Sequence, residues 1–129
     1  MERQTETILS VVDQQVQYCV NDDTDALMTL VDPEITIVMD GYPLLSGFEG
    51  AKVMFEALPE TASHIENTYK DVVPMDEDAN YVYVTLHFDF FNESGVNYKD
   101  GSGLFLLKKT ADGYKFYIMA ISAHDQPSS

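Results

Sequence analysis

The order of helical and strand patterns along the chain is the feature that most limits its fold. In the first half apolar residues recur every three or four positions, which predicts helices at about 4–20, at about 23–31 and from Ser46 to about 58. A short strand is predicted at 34–39, and the second half is dominated by strand patterns at about 63–73, 81–91, 96–109 and 114–123. Asp32-Pro33 is predicted to end the second helix, Val53 is predicted to be buried on the third, and Gly101 and Gly103 are predicted to mark a bulge in the strand at 96–109. This order favours an α+β fold, in which N-terminal helices pack on a strongly curved antiparallel or mixed β-sheet and form a cone with an internal pocket.

The segment 81–91 has the clearest strand pattern in the chain. Its even positions are all apolar and its odd positions are polar or amphipathic, so the even face is predicted to meet the helices. His87 and Asp89 lie on the odd face and are therefore expected on the outside or at a dimer contact. In an unusually polar pocket the two faces would exchange roles, and His87 with Asp89 would then be the leading acid–base pair.

Length and composition predict one domain, 1–129, with 126–129 as a frayed tail. No run approaches the ~20 apolar residues that a membrane span needs, and the polar N-terminus does not resemble a signal peptide. The single cysteine, Cys19, cannot form an internal disulfide and is expected to pack in the first helix rather than act as a nucleophile. These features favour a cytoplasmic location.

The charge of the chain limits its partners. There are 22 acidic and 7 basic residues, a formal net charge of −15, which disfavours binding to nucleic acids or to anionic membranes. The three histidines are widely spaced and no zinc motif is present, so no metal site is predicted. No phosphate-binding glycine loop is present either, and no cofactor is expected.

Both faces of the last two strands are apolar, which predicts a homodimer. Leu104 and Leu106 alternate with Phe105 and Leu107, whereas one face of a sheet in a small monomer is normally solvated. Helices can cover one face. A second copy of the chain is expected to cover part of the other.

Several short motifs, spread over about residues 4–124, together resemble one superfamily. They are Asn21-Asp22-Asp23-Thr24-Asp25-Ala26-Leu27, Asp32-Pro33-Glu34-Ile35-Thr36, Ser46-Gly47-Phe48-Glu49-Gly50-Ala51, His64-Ile65-Glu66-Asn67 and Asp112-Gly113-Tyr114-Lys115-Phe116. In order and spacing they are similar to the nuclear transport factor 2-like superfamily, which includes SnoaL-like and ketosteroid-isomerase-like proteins. The resemblance implies a cone fold, an apolar pocket and a dimer.

The same resemblance suggests catalytic residues. Asp40 resembles the general base that follows the first strand in the isomerases, although Met39 is an alternative occupant of that inward position. Tyr18 resembles the tyrosine that donates a hydrogen bond, and His64 resembles a pocket-facing histidine. The second acid donor has no counterpart, because Gly103, Leu104 and Phe105 stand where it would be expected, so a steroid-isomerase mechanism is incomplete.

The sequence leaves the function open between two classes. In the first, the pocket binds a small, largely apolar molecule, with Gln15 of helix one also facing it and with an apolar wall formed by Phe88, Phe90, Met119 and Ile121. Such a protein would be a carrier or a cofactor-free isomerase, dehydratase or cyclase that transfers protons through Asp40, His64 and Tyr18. In the second class, the domain is a non-catalytic association module. A cone filled by its own aromatic side chains would favour the second class.

Overall fold

Three helices and six strands follow one another in the computed structural model, which describes residues 2–21, 23–57 and 64–125. The helices are α1 (Glu2–Val20), α2 (Thr24–Met28) and α3 (Gly47–Ala57). The strands are β1 (Val31–Met39), β2 (Leu45–Ser46), β3 (His64–Pro74), β4 (Tyr81–Phe91), β5 (Asn97–Thr110) and β6 (Gly113–Asp125). The tail at 126–129, Leu58 and the side chain of Cys19 lie outside the described part of the chain.

The six strands form one mixed sheet in the order β2-β1-β6-β5-β4-β3. Strands β1 and β6 pair in parallel, and the other neighbours are antiparallel. The sheet is curled and open, with the N-terminal helices packed on it. The predicted α+β cone is therefore confirmed, and β2 is a short edge strand that the sequence pattern did not reveal.

The core lies between the helices and one face of the sheet, here called the inner face. On β4 this face carries the even positions, Val82, Val84, Leu86, Phe88 and Phe90, all of which are buried as their alternation predicted. Helix α1 contributes Ile8 and Val12, and α3 contributes Ala51 and Met54. The opposite, outer face carries the odd positions of β4. None of the described helices is long and apolar enough to cross a membrane.

Four local predictions were wrong. Helix α2 ends at Met28 rather than near 31, and Asp32 and Pro33 lie inside β1 instead of ending a helix. The Asp32 carboxylate accepts a hydrogen bond from the Glu34 backbone amide at 2.9 Å, within the stretch between Val31 and Thr36 where the pairing of β1 with β6 is irregular. Val53 was expected in the core but is exposed, because Ala51 and Met54 face the sheet. The pairing of β5 is irregular at Tyr98, opposite Phe90 and Phe91 of β4, and where Leu106 and Leu107 meet Tyr117 of β6, and not at its glycines.

Candidate functional site

The interior of the cone contains one small cavity among the described residues. It is lined by Gln15 and Val16 of α1, by Ile65 and Asn67 of β3, and by Leu86, Phe88, Phe90, Phe105 and Ile121. Its volume is about 30 Å³. Because ligand sites for drug-sized molecules are typically ~300–1,000 Å³, this cavity has room for one or two water molecules.

Buried side chains, four phenylalanine rings among them, fill the rest of the described interior. The rings of Phe88 and Phe90 contact each other edge to face at 5.4 Å, and those of Phe105 and Phe116 do so at 5.5 Å. Gly101 of β5 is paired with Phe88, and a Cβ at this glycine would lie 2.6 Å from Cε2 of the Phe88 ring. The glycine therefore makes the space that the ring occupies. This is the physical reason for a glycine here, rather than a bulge.

A polar network borders the cavity where α1 packs against β3. The Tyr69 hydroxyl donates a hydrogen bond to the Asp13 carboxylate and accepts one from the Asn67 amide at 3.4 Å. Burial, followed by the hydrogen bond to Asp13, raises the pKa of the Tyr69 phenol well above its ordinary value. The phenol is thus held protonated. Sequence reasoning missed this network because Asp13 and Tyr69 meet only through tertiary packing.

A wide concavity lies on the outer face of the sheet. This outer groove has a volume of about 710 Å³ and is open to solvent. It crosses five strands, β3, β4, β5, β6 and β1, and its outer-face residues are Thr68, Lys70, Thr85, His87, Ser102, Leu104, Ala120, Ser122, Val38 and Asp40. Charged, hydroxyl and apolar side chains are mixed here, so the surface is an open groove rather than a closed pocket.

A histidine and two carboxylates meet at one end of the outer face. Nε2 of His87 lies 3.2 Å from Oδ1 of Asp89 and 3.6 Å from Oδ2 of Asp100. The parity of β4 predicted the outward position of His87 and Asp89. Asp100 was missed because it is on the next strand, directly opposite Asp89 in register.

The backbone can be compared with solved structures. A ketosteroid isomerase-like protein from Erwinia carotovora atroseptica SCRI1043 has a TM-score of 0.78 and is 18% identical, with 98% of this chain and 100% of that chain covered. The chain has the nuclear transport factor 2-like fold. An NTF-2 like protein of unknown function from Shewanella oneidensis MR-1 (TM-score 0.72, 15% identity) covers 92% of this chain and 98% of its own.

A protein of unknown function with a cystatin-like fold from Nostoc punctiforme has a TM-score of 0.74 at 10% identity and covers 96% of this chain and 92% of its own. No family model matches the sequence, and no curated protein sequence matches it. These likenesses confirm the superfamily-level fold expected from the motifs. At such low identities they carry no reaction or ligand over to this chain.

Within this nuclear transport factor 2-like fold, Asp40 lies on the outer face. Ile35 and Ile37 of β1 point into the core, so alternation turns Met39 inward and Asp40 outward. The Asp40 carboxylate is exposed and accepts a hydrogen bond from the Ser122 hydroxyl at 2.7 Å. It lines the outer groove and not the interior cavity.

The other two residues suggested as catalytic are also outside the interior cavity. His64 begins β3 with an exposed side chain, 3.3 Å from the Glu66 carboxylate. Tyr18 is half-buried on α1 and is not among the described residues that line the cavity. Four strand spacings separate β3 from β1, which is about 19 Å along the sheet, so His64 and Asp40 do not converge.

The residues suggested as ligand-binding are mostly brought together. Gln15, Phe88, Phe90 and Ile121 all line the interior cavity. Met119 is fully buried in the core but is not part of the lining. Whether any of these residues contacts a ligand stays a prediction.

Proposed function

We propose that this chain is a homodimeric association module that uses the outer face of its sheet to bind a second copy. The observation that carries the proposal is the contrast between the two concavities. The interior holds about 30 Å³, whereas the outer groove holds about 710 Å³. An interior filled by phenylalanine rings leaves little room for a substrate, and the accessible recognition surface is then the outer face.

The middle of the outer face is apolar and uncovered in the single chain. Leu104 of β5 is 43% exposed and Val38 of β1 is 53% exposed, with Ala120 of β6 paired in register with both. Leu44, just before β2 at the sheet edge, is 72% exposed. This apolar row runs across the sheet. Burial of such side chains stabilises association by roughly 25 cal/mol per Å² of apolar surface.

The charges of the outer face favour an antiparallel arrangement about a two-fold axis. Asp89 and Asp100 lie near one end of the strands, whereas Lys108 and Lys115 oppose each other near the other end. Within the chain, Lys108 Nζ is 3.9 Å from the Asp32 carboxylate and Lys115 Nζ donates a hydrogen bond to the Thr29 carbonyl oxygen. Two sheets that pack face to face in opposite directions place the acidic end of one copy over the lysine end of its partner. An isologous contact of this kind uses the same surface twice, so both copies gain the same complementarity.

A charge placed in the apolar row tests the proposal. Leu104→Asp buries a carboxylate in the proposed contact, whereas Val96→Asp places the same charge on the exposed turn between β4 and β5. Light scattering after size exclusion is expected to give a dimer for the native chain and for Val96→Asp, and a monomer for Leu104→Asp. A native chain that is monomeric, or two variants that behave alike, would rule out this surface.

A second function is favoured by one specific observation, the buried amide of Gln15. Gln15 is only 8% exposed and lines the interior cavity together with Asn67 and seven apolar residues, a mixture that a small, largely apolar ligand could contact. This alternative is a carrier or cofactor-free enzyme for a small, largely apolar molecule. Native mass spectrometry of the purified protein separates the two functions. The association module predicts twice the polypeptide mass with nothing added, and a retained small molecule would favour the alternative.

A further inference from the structure

We infer that His87, Asp89 and Asp100 form a binding site for a divalent transition-metal ion at one end of the outer face. The three side chains come from two neighbouring strands. His87 and Asp89 are two residues apart on β4 and therefore share a face, and Asp100 of β5 is directly opposite Asp89 in register. His87 and Asp100 are 13 residues apart in the sequence, so their spacing does not predict a common site. They come together because β4 and β5 form a hairpin with this register.

The distances between the candidate ligand atoms suit a metal ion. Nε2 of His87 is 3.2 Å from Asp89 Oδ1 and 3.6 Å from Asp100 Oδ2, and one ligand atom from each residue lies within 4.8 Å of the others. Nitrogen and oxygen ligands bind zinc at ~2.0–2.2 Å, which places neighbouring ligands of a tetrahedral ion about 3.4 Å apart. The two measured distances lie on either side of that value.

A fourth oxygen is available from Asn97, the first residue of β5. Its amide nitrogen donates a hydrogen bond to Asp89 Oδ1 at 3.0 Å, so the amide group borders the cluster. Its carbonyl oxygen is buried and has no hydrogen-bond partner among the described residues. Rotation of the Asn97 amide group by half a turn would break only its bond to Asp89. The Asn97 carbonyl oxygen would then face the two carboxylates, where a bound metal ion would attract it.

The charges around the cluster also favour a cation. Glu66, Asp89 and Asp100 occupy one row across β3, β4 and β5, each directly opposite the next. Like charges in directly opposite positions destabilise a sheet. An ion bound by Asp89 and Asp100 would neutralise part of this row, in a chain whose formal net charge is −15.

The mixture of ligands selects the class of ion. Calcium and magnesium prefer sites made only of oxygen atoms, whereas an imidazole with carboxylates suits zinc, manganese, cobalt or nickel. The side chains of Asp89 and Asp100 are about four-fifths buried, and His87 borders the open outer groove. Three protein ligands at the edge of a groove leave coordination positions for water.

Cobalt(II) is the probe that tests this site, because its visible absorption reports both binding and coordination by nitrogen and oxygen. The untagged native chain is expected to bind one cobalt ion per chain with saturation, and zinc is expected to displace it. His87→Gln should weaken the binding by at least about tenfold, since substitutions even in the shell around a metal ligand cost ~10–100-fold. Asp100→Asn should have a comparable effect.

The matched control is His64→Gln. His64 is on the next strand, and its Nε2 lies at a similar distance, 3.3 Å, from the carboxylate of Glu66. The cobalt affinity of this variant is expected to equal that of the native chain. Circular dichroism of each variant establishes that a loss of binding is not a loss of folding. The absence of saturable binding, or equal affinities for His87→Gln and His64→Gln, would overturn the inference. The mass of the particle is measured separately, so a failure of cobalt binding and a failure of the proposed dimer are distinguished.

Discussion

The ring of Phe88 lies directly over Gly101, its partner on the neighbouring strand. A Cβ built on Gly101 would approach Cε2 of the Phe88 ring to 2.6 Å and the Ser122 carbonyl oxygen to 2.4 Å. Both distances are shorter than a Cβ atom can approach a neighbouring heavy atom without a shift of the structure. Gly101 has no side chain, and the ring of Phe88 occupies the space that a side chain would take. This packing helps to fill the interior of the cone.

Gly101→Ala is therefore expected to be strongly destabilising. The new methyl group meets the backbone of β6, which cannot move as freely as the end of a side chain. We expect the free energy of unfolding to fall by about 3 kcal/mol or more, at or beyond the upper end of typical overpacking costs. Urea denaturation followed by circular dichroism measures the change.

Gly103→Ala is the matched control for that experiment. A Cβ at Gly103 would lie 3.0 Å from the Phe105 ring and 3.3 Å from a Leu86 methyl group, both of which are side-chain atoms that can adjust. Its cost should be clearly smaller. Equal losses in the two variants would mean that the contact with β6 and Phe88 is not what requires a glycine.

Phe88→Ala should open the interior that Phe88 now fills. Loss of a buried phenylalanine ring costs ~3–5 kcal/mol, and the apolar cavity left behind should bind a benzene-sized molecule. The thermal unfolding midpoint of the variant, but not of the native chain, is expected to rise when benzene is added. Phe91→Ala is the control, since Phe91 is only half-buried and its ring contacts His64 at 5.7 Å. A native chain that responds to benzene as strongly as the variant would contradict a filled cone.

Tyr69→Phe should reveal the hydrogen bond between α1 and β3. Removal of the phenol oxygen breaks its bond to Asp13, and we expect the free energy of unfolding to fall by about 1 kcal/mol near neutral pH. The folded-state pKa of Tyr69 is raised, so its stabilising contribution is complete below the unfolded pKa of about 10 and is lost as the pH rises above it. The difference between the native chain and Tyr69→Phe should therefore shrink in alkaline solution.

Urea unfolding at neutral and at alkaline pH measures that difference. Tyr83→Phe, which removes a half-buried phenol from the outer face, is the control and should leave the pH profile of the native chain unchanged. A difference between the native chain and Tyr69→Phe that is constant with pH would mean that the folded protein does not hold the Tyr69 phenol protonated.

Much of the fold was predictable because alternation is a local property of the chain. The even and odd positions of 81–91 divided correctly into buried and exposed faces, and the observed β4 has the predicted bounds. The glycines of β5 were misread because the ring that needs their space, Phe88, belongs to another strand. Val53 was misplaced because only the packing of α3 on β1 decides which residues of the helix face inward.

The site was less predictable than the fold. The position of Asp40 depended on a shift of one residue in register, which decides whether a carboxylate faces the interior or the solvent. Asp100 joins His87 only through the hairpin between β4 and β5, and Tyr69 joins Asp13 only through the packing of a helix on a strand. Each of these pairs is remote in sequence, so residue spacing alone carries no signal for them.

Sedimentation equilibrium of the untagged native chain over a range of micromolar concentrations tests the association module most directly. The expected particle has twice the chain mass of 14.5 kDa and dissociates only on dilution. A particle of 14.5 kDa at every concentration would contradict it, because the apolar row of Leu104, Ala120 and Val38 would then have no second copy to cover it.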